Sequence, residues 1–142
     1  MPGPRAVADT NVWVAAAVTP DGACGQLLNE ALDRRWEPVL SPLLVEELGE
    51  VLARAKFRRW FTEAEAERFV GDLRRIADEV TDPPAVRAQR VRDPDDEFLV
   101  ALVGVARVEA LVSGDAHLLG LEDIGAPVVT PAEFLVWLRA RP

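Results

Sequence analysis

The alternation of short apolar runs with amphipathic segments is the feature of this sequence that most constrains its fold. Between the apolar runs, hydrophobic residues recur at spacings of three and four, which predicts helices that each bury one face. Strands that alternate with such helices form a parallel sheet with helices on both faces. The sequence therefore predicts an α/β fold, an α/β/α sandwich with a short central parallel sheet of four to five strands. The predicted strands are residues 5–9, 38–40, 110–113 and 128–129.

Capping signals predict where several helices begin. A hydroxyl or carboxyl side chain followed by Pro, or by Glu three residues later, is typical of a helix N terminus. Such signals occur at Ser41, Thr62, Asp93 and Thr130. The apolar spacing after the first two predicts helices that run to about residue 54 and about residue 80. Since no linker or repeat divides the 142 residues, one domain over residues 1–142 is expected.

The counts of Cys, His and Tyr limit the available chemistry. The chain has one Cys, Cys24, one His, His117, and no Tyr. An intrachain disulfide and a thiolate zinc site are therefore excluded. We expect Cys24 to serve packing and His117 to lie at the surface or at a helix cap. Any catalysis must then use mainly carboxylates, and carboxylate oxygens suit hard cations such as Mg²⁺ or Mn²⁺.

The net charge of −8 argues mildly against a nucleic-acid partner, because polyanions prefer basic surfaces. Two features weaken that argument. Carboxylates that bind a divalent cation lose their negative field, and the basic residues are bunched within residues 54–59, 74–75 and 87–92. No apolar run approaches the roughly 18 residues of a membrane span, and no secretory signal is recognisable. The expected location is therefore the cytoplasm, without membrane attachment.

Three acidic side chains are predicted near the carboxyl ends of strands. Asp9 ends the first strand, Asp115 follows the strand that ends at Ser113, and Asp96 belongs to the start of a helix. Ligands of parallel α/β sheets bind outside the carboxyl ends of strands, so these acids are candidates for a shared site. Taken singly, each has a simpler interpretation as a turn former or helix cap, and Asp93 is expected to be a cap rather than a ligand.

Glu47 becomes a fourth candidate through its position on the helix that follows Ser41. At about 100° per residue, the apolar residues of this helix form one stripe. Glu46 and Glu50 lie opposite the stripe, whereas Glu47 lies at its margin. A carboxylate that is half-buried is costly unless it is paired or bound to a cation. Glu47 is therefore a better ligand candidate than its two acidic neighbours.

Four segments of the sequence together carry a family pattern. They are Asp-Thr-Asn at residues 9–11, Ser-Pro-Leu-Leu-Val-Glu-Glu-Leu at 41–48, Arg-Asp-Pro-Asp-Asp-Glu-Phe-Leu-Val-Ala at 92–101, and Leu-Val-Ser-Gly-Asp-Ala-His-Leu-Leu at 111–119. In this order and spacing they resemble the PIN-domain family, and within it the toxin-antitoxin branch related to the VapC ribonuclease toxins. The resemblance covers nearly the whole chain and implies a single PIN-like nuclease domain.

The resemblance implies a metal site, an activity and partners. One acid from each segment would bind Mg²⁺ or Mn²⁺, with hydroxyl or amide residues in support. Hydrolysis of RNA phosphodiesters by metal-activated water would follow. The chain would then be the toxin of a type II toxin-antitoxin pair, inhibited by a small antitoxin protein and paired as a homodimer. The implied ligands are Asp9, Glu47, Asp96 and Asp115, and the implied supporting residues are Thr10, Asn11 and Ser113.

Some features of the sequence leave alternatives open. Val103 and the pair Ala116-His117 depart from the family pattern, the second where a basic residue is frequent. The cluster Phe57, Trp60 and Phe61, expected near Trp36, is interpreted either as an association surface or as core packing. A catalytically silent binding module is one rival function. A Mg²⁺-dependent phosphoacceptor domain is another, although it requires adjacent acids after the first strand and a late Lys.

Overall fold

The computed structural model describes residues 3–84 and 96–142. Its centre is a five-stranded sheet in which every neighbouring pair of strands runs parallel. The strand order is β3-β2-β1-β4-β5, so β1 lies in the middle of the sheet. This arrangement confirms the predicted α/β sandwich. The strands are β1 Arg5–Ala8, β2 Glu37–Leu40, β3 Asp78–Glu79, β4 Ala110–Val112 and β5 Val128–Val129.

The predicted helix starts within the described residues are confirmed. The side chain of Ser41 caps α3, and capping boxes begin α4 at Thr62 and α7 at Thr130. The predicted cap at Asp93 lies outside the described residues, and the described part of α5 begins at Glu97. The helices are α1 Thr10–Val18, α2 Ala23–Leu32, α3 Pro42–Leu52, α4 Glu63–Ile76, α5 Glu97–Ala106, α6 Ala116–Leu119 and α7 Pro131–Arg139, with a 3₁₀ helix at Ala55–Arg59.

The end of α4 differs from its prediction. The helix was predicted to reach about residue 80, but it ends at Ile76 and the chain continues as β3. Asp78 is in register with Val39 of β2, and the Val80 amide donates a hydrogen bond to the Leu40 carbonyl. Pairing with a neighbouring strand therefore overrides the apolar spacing that suggested more helix. Because β3 has only two residues, both acidic, no local pattern indicates it.

The core lies on both faces of the sheet, and Trp36 is central to one part of it. Its ring stacks on that of Trp13, with a centroid distance of 6.0 Å, and meets the edge of Phe134 at 5.2 Å. Both tryptophans are almost completely buried. These ring contacts join the residue that precedes β2 to α1 and α7. They also place Trp36 in a packing group different from the one that the sequence suggested.

The cluster of Phe57, Trp60 and Phe61 separates into buried and exposed parts. Phe57 is buried and stacks on Phe61, which packs against the core. Trp60 remains 48% exposed. Core packing is therefore the correct interpretation for Phe57 and Phe61, as the second of the two sequence interpretations proposed. Only Trp60 keeps a large exposed aromatic surface.

The amino ends of three adjacent strands are joined by one arginine. At the start of β1, Arg5 forms ion pairs with Glu37 of β2 at 2.5 Å and with Asp78 of β3 at 2.7 Å. Its guanidinium also donates a hydrogen bond to the Ala106 carbonyl. One cation thus satisfies two carboxylates and the end of α5 at the same edge of the sheet.

Among the described residues, no helix combines the length and apolar character that a membrane crossing requires.

Candidate active site

Asp9 occupies the carboxyl end of the central strand and is nearly buried, with 4% of its surface exposed. Its amide donates to the Val112 carbonyl of β4, which extends the pairing of the two strands by one residue. Its carboxylate caps α1, since Oδ1 accepts a hydrogen bond from the Val12 amide at 3.0 Å. The other oxygen, Oδ2, accepts a hydrogen bond from the Ser113 hydroxyl. The fold therefore fixes both oxygens of this carboxylate.

Ser113 connects Asp9 to Asp115. It is fully buried just beyond β4, and while its hydroxyl donates to Asp9, its Oγ accepts a hydrogen bond from the Asp115 amide at 3.0 Å. Asp115 is half-buried and caps α6 through a 2.7 Å hydrogen bond from the His117 amide to Oδ1. Both aspartates are thus helix caps and also neighbours at one sheet edge. The sequence placed Ser113 near Asp115 but gave no signal of its bond to Asp9.

The protonation of Asp9 is shifted by its surroundings. Burial raises the pKa of Asp9, and the negative charge of Asp115 raises it further. Hydrogen bonds from Ser113 and from the Val12 amide oppose this change, but the net pKa lies above that of an ordinary aspartate. An ionised Asp9 therefore costs free energy in this site unless a positively charged group approaches it.

Glu47 is connected to the same edge through Thr10. The Thr10 hydroxyl, one residue after Asp9, donates a 2.8 Å hydrogen bond to Oε2 of Glu47. Glu47 is half-buried, whereas Glu46 and Glu50 are exposed, so the angular argument made from the sequence is confirmed. The sequence indicated Thr10 only as a supporting residue, with no signal that it binds Glu47. The side chain of Asn11 is exposed.

Asp96 is half-buried and directly precedes α5. Within residues 3–84 and 96–142, no three His, Cys, Asp or Glu side chains gather closely enough to hold one metal ion together. The structure thus connects Asp9 with Asp115 and brings Glu47 to Thr10. The set of four carboxylates as a single metal centre stays a prediction from the sequence.

The donors at this edge nevertheless match a hard divalent cation. Asp9, Glu47 and Asp115 offer only carboxylate oxygens, the ligand type that Mg²⁺ and Mn²⁺ prefer. In the described part of the chain, none of these three carboxylates forms an ion pair with Lys, Arg or His. A cation would offset both the burial of Asp9 and its repulsion by Asp115. Asp9, Asp115 and Glu47 are therefore the described residues best suited to bind it.

Cys24 and His117 take the minor roles expected of them. Cys24 is half-buried, and burial together with the negative charge of Asp9 raises the pKa of its thiol. A thiol that resists ionisation is a poor nucleophile, which agrees with a packing role. His117 is exposed and contributes its backbone amide to the cap of α6. Neither residue supplies a general base near Asp9.

The sequence was compared with models of known protein families. A model described as PIN domain matches residues 5–117, which include Asp9, Glu47, Asp96 and Asp115. The chain belongs to the PIN domain family. Proteins with this domain are generally nucleases. A curated relative, the uncharacterised protein MJ1680 of Methanocaldococcus jannaschii, is 25% identical over 141 aligned positions, which cover 92% of this PIN domain chain and 89% of the relative.

Solved structures share the fold of this PIN domain. PAE2754 from Pyrobaculum aerophilum superimposes with a TM-score of 0.70 at 19% identity, over 98% of this chain and 91% of that one. A chain of VapBC2 from Rickettsia felis, solved with a DNA fragment from the promoter of that pair, superimposes with a TM-score of 0.63 at 9% identity. That match covers 89% of this chain and 98% of the other. At these identities the likeness concerns the fold.

Proposed function

We propose that this PIN domain is a divalent-metal-dependent endoribonuclease that hydrolyses phosphodiester bonds of RNA. The observation that carries the proposal is the group of Asp9, Ser113 and Asp115 at the ends of adjacent strands, where the buried serine joins the Asp9 carboxylate to the backbone amide of Asp115. Membership of a family of nucleases supports the same activity. The proposed metal ligands are Asp9, Glu47, Asp96 and Asp115, supported by Thr10, Asn11 and Ser113.

The cation proposed here is Mg²⁺ or Mn²⁺, and when bound it supplies a Lewis acid that stabilises charge on a phosphoryl oxygen and acidifies water. The chain's own residues prepare the site for it. Ser113 and the Val12 amide hold the Asp9 carboxylate in one orientation, and Thr10 does the same for Glu47. Fixed carboxylates lose little entropy on binding a ligand. The proposed mechanism requires no His, because the site is formed by carboxylates.

Partners are proposed on the same basis. The fold is shared with a chain of VapBC2, and the toxin-antitoxin branch that the sequence resembles implies an antitoxin partner. We therefore propose that this chain is the toxin of a type II pair, acts in the cytoplasm, and associates as a homodimer. Light scattering on the purified chain tests the dimer: a mass of twice 15.6 kDa is expected, and a mass of 15.6 kDa at micromolar concentration contradicts it.

RNA cleavage by purified protein tests the activity. Structured and unstructured RNAs are incubated with wild type, Asp9→Asn and Asp96→Asn, each with Mg²⁺, Mn²⁺ or EDTA. Cleavage by the wild type alone, and only with metal, is expected, because loss of one ligand costs far more than a surface substitution. Equal cleavage by all three proteins, or cleavage in EDTA, contradicts the mechanism. Absence of cleavage together with RNA binding would instead favour the catalytically silent module.

A further inference from the structure

A basic and aromatic segment lies between the end of α3 and the start of α4. From Val51 to Thr62 the sequence has no acidic residue, although the whole chain carries a net charge of −8. This segment contains four cations and three aromatic residues. We define it as the basic-aromatic segment, residues 54–61: Arg54, Lys56, Phe57, Arg58, Arg59, Trp60 and Phe61.

The charges of this segment are not neutralised by the described protein. None of its four cations forms an ion pair with a described Asp or Glu. Arg58 is held in place because its guanidinium donates to the Leu52 carbonyl and lies over the Phe61 ring at 5.6 Å. Arg54, Lys56 and Arg59 are exposed. The segment therefore presents a local positive field on an otherwise acidic molecule.

Trp60 adds an exposed ring to this field. It is 48% exposed, and the guanidinium of Arg59 lies 4.8 Å from its ring centroid. On the protein side, the ring of Phe57 lies 6.0 Å away and supports it. An exposed ring beside cations is the arrangement with which proteins stack an unpaired base and bind the neighbouring phosphates. Bases in a duplex are already stacked on each other, so this arrangement selects single strands.

A groove connects the segment with the candidate active site. It has a volume of about 400 Å³, and both Arg54 and Glu47 line it, together with Phe98 of α5. Glu46 and Glu50 line the same groove. Because these acids repel phosphate, the attraction for a nucleic-acid backbone comes from Arg54 and the segment beyond it. A strand bound by the segment would therefore reach Glu47 along the groove that Arg54 lines.

We infer that the basic-aromatic segment is the binding surface for single-stranded RNA, with a base stacked on Trp60 and phosphates bound by Arg54, Lys56 and Arg59. The inference deepens the proposed function and rests on it for the identity of the nucleic acid. It also explains how a chain with excess negative charge holds a polyanion. The charge that matters is local, and Arg54 brings part of it to the groove that Glu47 also lines.

The test measures RNA binding without cleavage. The anisotropy of a short fluorescein-labelled single-stranded RNA is titrated with protein in EDTA. Trp60→Ala is expected to weaken binding about tenfold, since stacking on one aromatic ring has roughly that effect, and Trp60→Phe is expected to retain most of the affinity. Trp137→Ala is the matched control, because Trp137 is 40% exposed and also lies under an arginine, Arg141 at 4.7 Å. No change in RNA affinity is expected for Trp137→Ala.

A second pair of variants tests the role of the cations of the basic-aromatic segment. The double variant Lys56→Ala/Arg59→Ala should lower the slope of log affinity against log salt by about 1.4, because each phosphate contact with a single strand contributes roughly 0.7. The control is Arg74→Ala/Arg75→Ala on α4, whose cations are already paired with Glu79 and Asp72. Thermal unfolding of every variant checks that the fold is kept.

The possible outcomes separate this inference from the proposed nuclease activity. Binding that depends on Trp60 in a protein that never cleaves RNA supports the surface while overturning the activity. If the wild type cleaves RNA and Trp60→Ala binds RNA as tightly as the wild type does, the inference about the binding surface is overturned and the proposed activity is not. Loss of self-association, rather than of RNA binding, in Trp60→Ala would show a protein interface and would also overturn the inference. Tighter binding of double-stranded than of single-stranded RNA has the same consequence.

Discussion

The two ends of the central strand carry similar acidic groups in opposite electrostatic conditions. At the amino end, Glu37 and Asp78 share the guanidinium of Arg5. At the carboxyl end, Asp9 and Asp115 are joined by Ser113, and no described cationic side chain pairs with either. The protein therefore neutralises its own acids at one edge of the sheet, whereas at the other edge the proposed partner of the acids is an external cation.

This contrast distinguishes residues that are expected to serve stability from residues that are proposed to serve function. A partly exposed ion pair such as those of Arg5 contributes modestly to the stability of the native state, whereas a buried carboxylate without a cation lowers that stability. Acids that are costly and also held in fixed orientation are typical of functional sites. Substitutions at the two ends should accordingly have different consequences.

The largest effect is expected for Asp115→Asn. Removing one proposed ligand should lower the rate of metal-dependent RNA cleavage about 100-fold or more, since a ligand matters at least as much as the groups that orient it. Asp78→Asn, the control at the amino end, should leave the rate per folded molecule within about twofold. The contrast fails if Asp78→Asn reduces the rate as strongly as Asp115→Asn does.

Ser113→Ala should have a smaller effect on the same rate, a decrease of about tenfold, because Asp9 loses the donor that orients it. Ser113→Thr keeps the hydroxyl and should restore most of the activity. Ser41→Ala is a matched control, since Ser41 is equally buried and caps α3. It should lower the stability, by about 1 kcal/mol, without changing the cleavage rate per folded molecule. Equal cleavage rates for Ser113→Ala and wild type would contradict the proposed role of Ser113 in the site.

At the amino end, Arg5→Gln should lower the free energy of unfolding by about 1 kcal/mol, measured by urea denaturation. The estimate is modest because the side chain of Arg5 remains 29% exposed. Arg75→Gln, which removes an exposed pair within α4, should cost roughly 0.3 kcal/mol or less. If the two variants were equally stable, the ion pairs of Arg5 would not hold the sheet edge.

The smallest effect concerns the stability of Asp9→Asn in the absence of metal. Because the pKa of Asp9 is raised in the fold, the ionised carboxylate destabilises the native state once the pH exceeds that pKa. Asp9→Asn should therefore raise the Tm at neutral pH in EDTA. The gain should vanish at acidic pH, where Asp9 is protonated in both folded and unfolded chains.

Glu65→Gln should change the Tm in the opposite direction. Hydrogen bonds from Thr62 lower the pKa of Glu65, so its ionised form supports the fold above its ordinary pKa, and this support is lost as the pH falls. The substitution should thus lower the Tm at neutral pH. A rise in Tm for both variants, or for neither, would contradict the raised pKa of Asp9 in the folded protein.

The sequence predicted those parts of the molecule that rest on local patterns. The caps at Ser41, Thr62 and Thr130 and the partial burial of Glu47 follow from spacing along one segment, and the parallel sheet follows from the alternation of predicted strands and helices. The missed features depend on contacts between distant segments. β3 exists because it pairs with β2, and Ser113 reaches Asp9 across 104 residues of sequence. No periodicity within either segment carries that information.

The most direct test of the contrast is a calorimetric titration of the protein with Mn²⁺ and with Mg²⁺ at neutral pH. Wild type and Asp78→Asn should bind the ion saturably and with equal affinity, whereas Asp9→Asn should lose the binding heat. A wild type that takes up no divalent ion, or an Asp9→Asn protein that binds it as wild type does, would contradict the claim that the carboxyl edge of this sheet is a cation site.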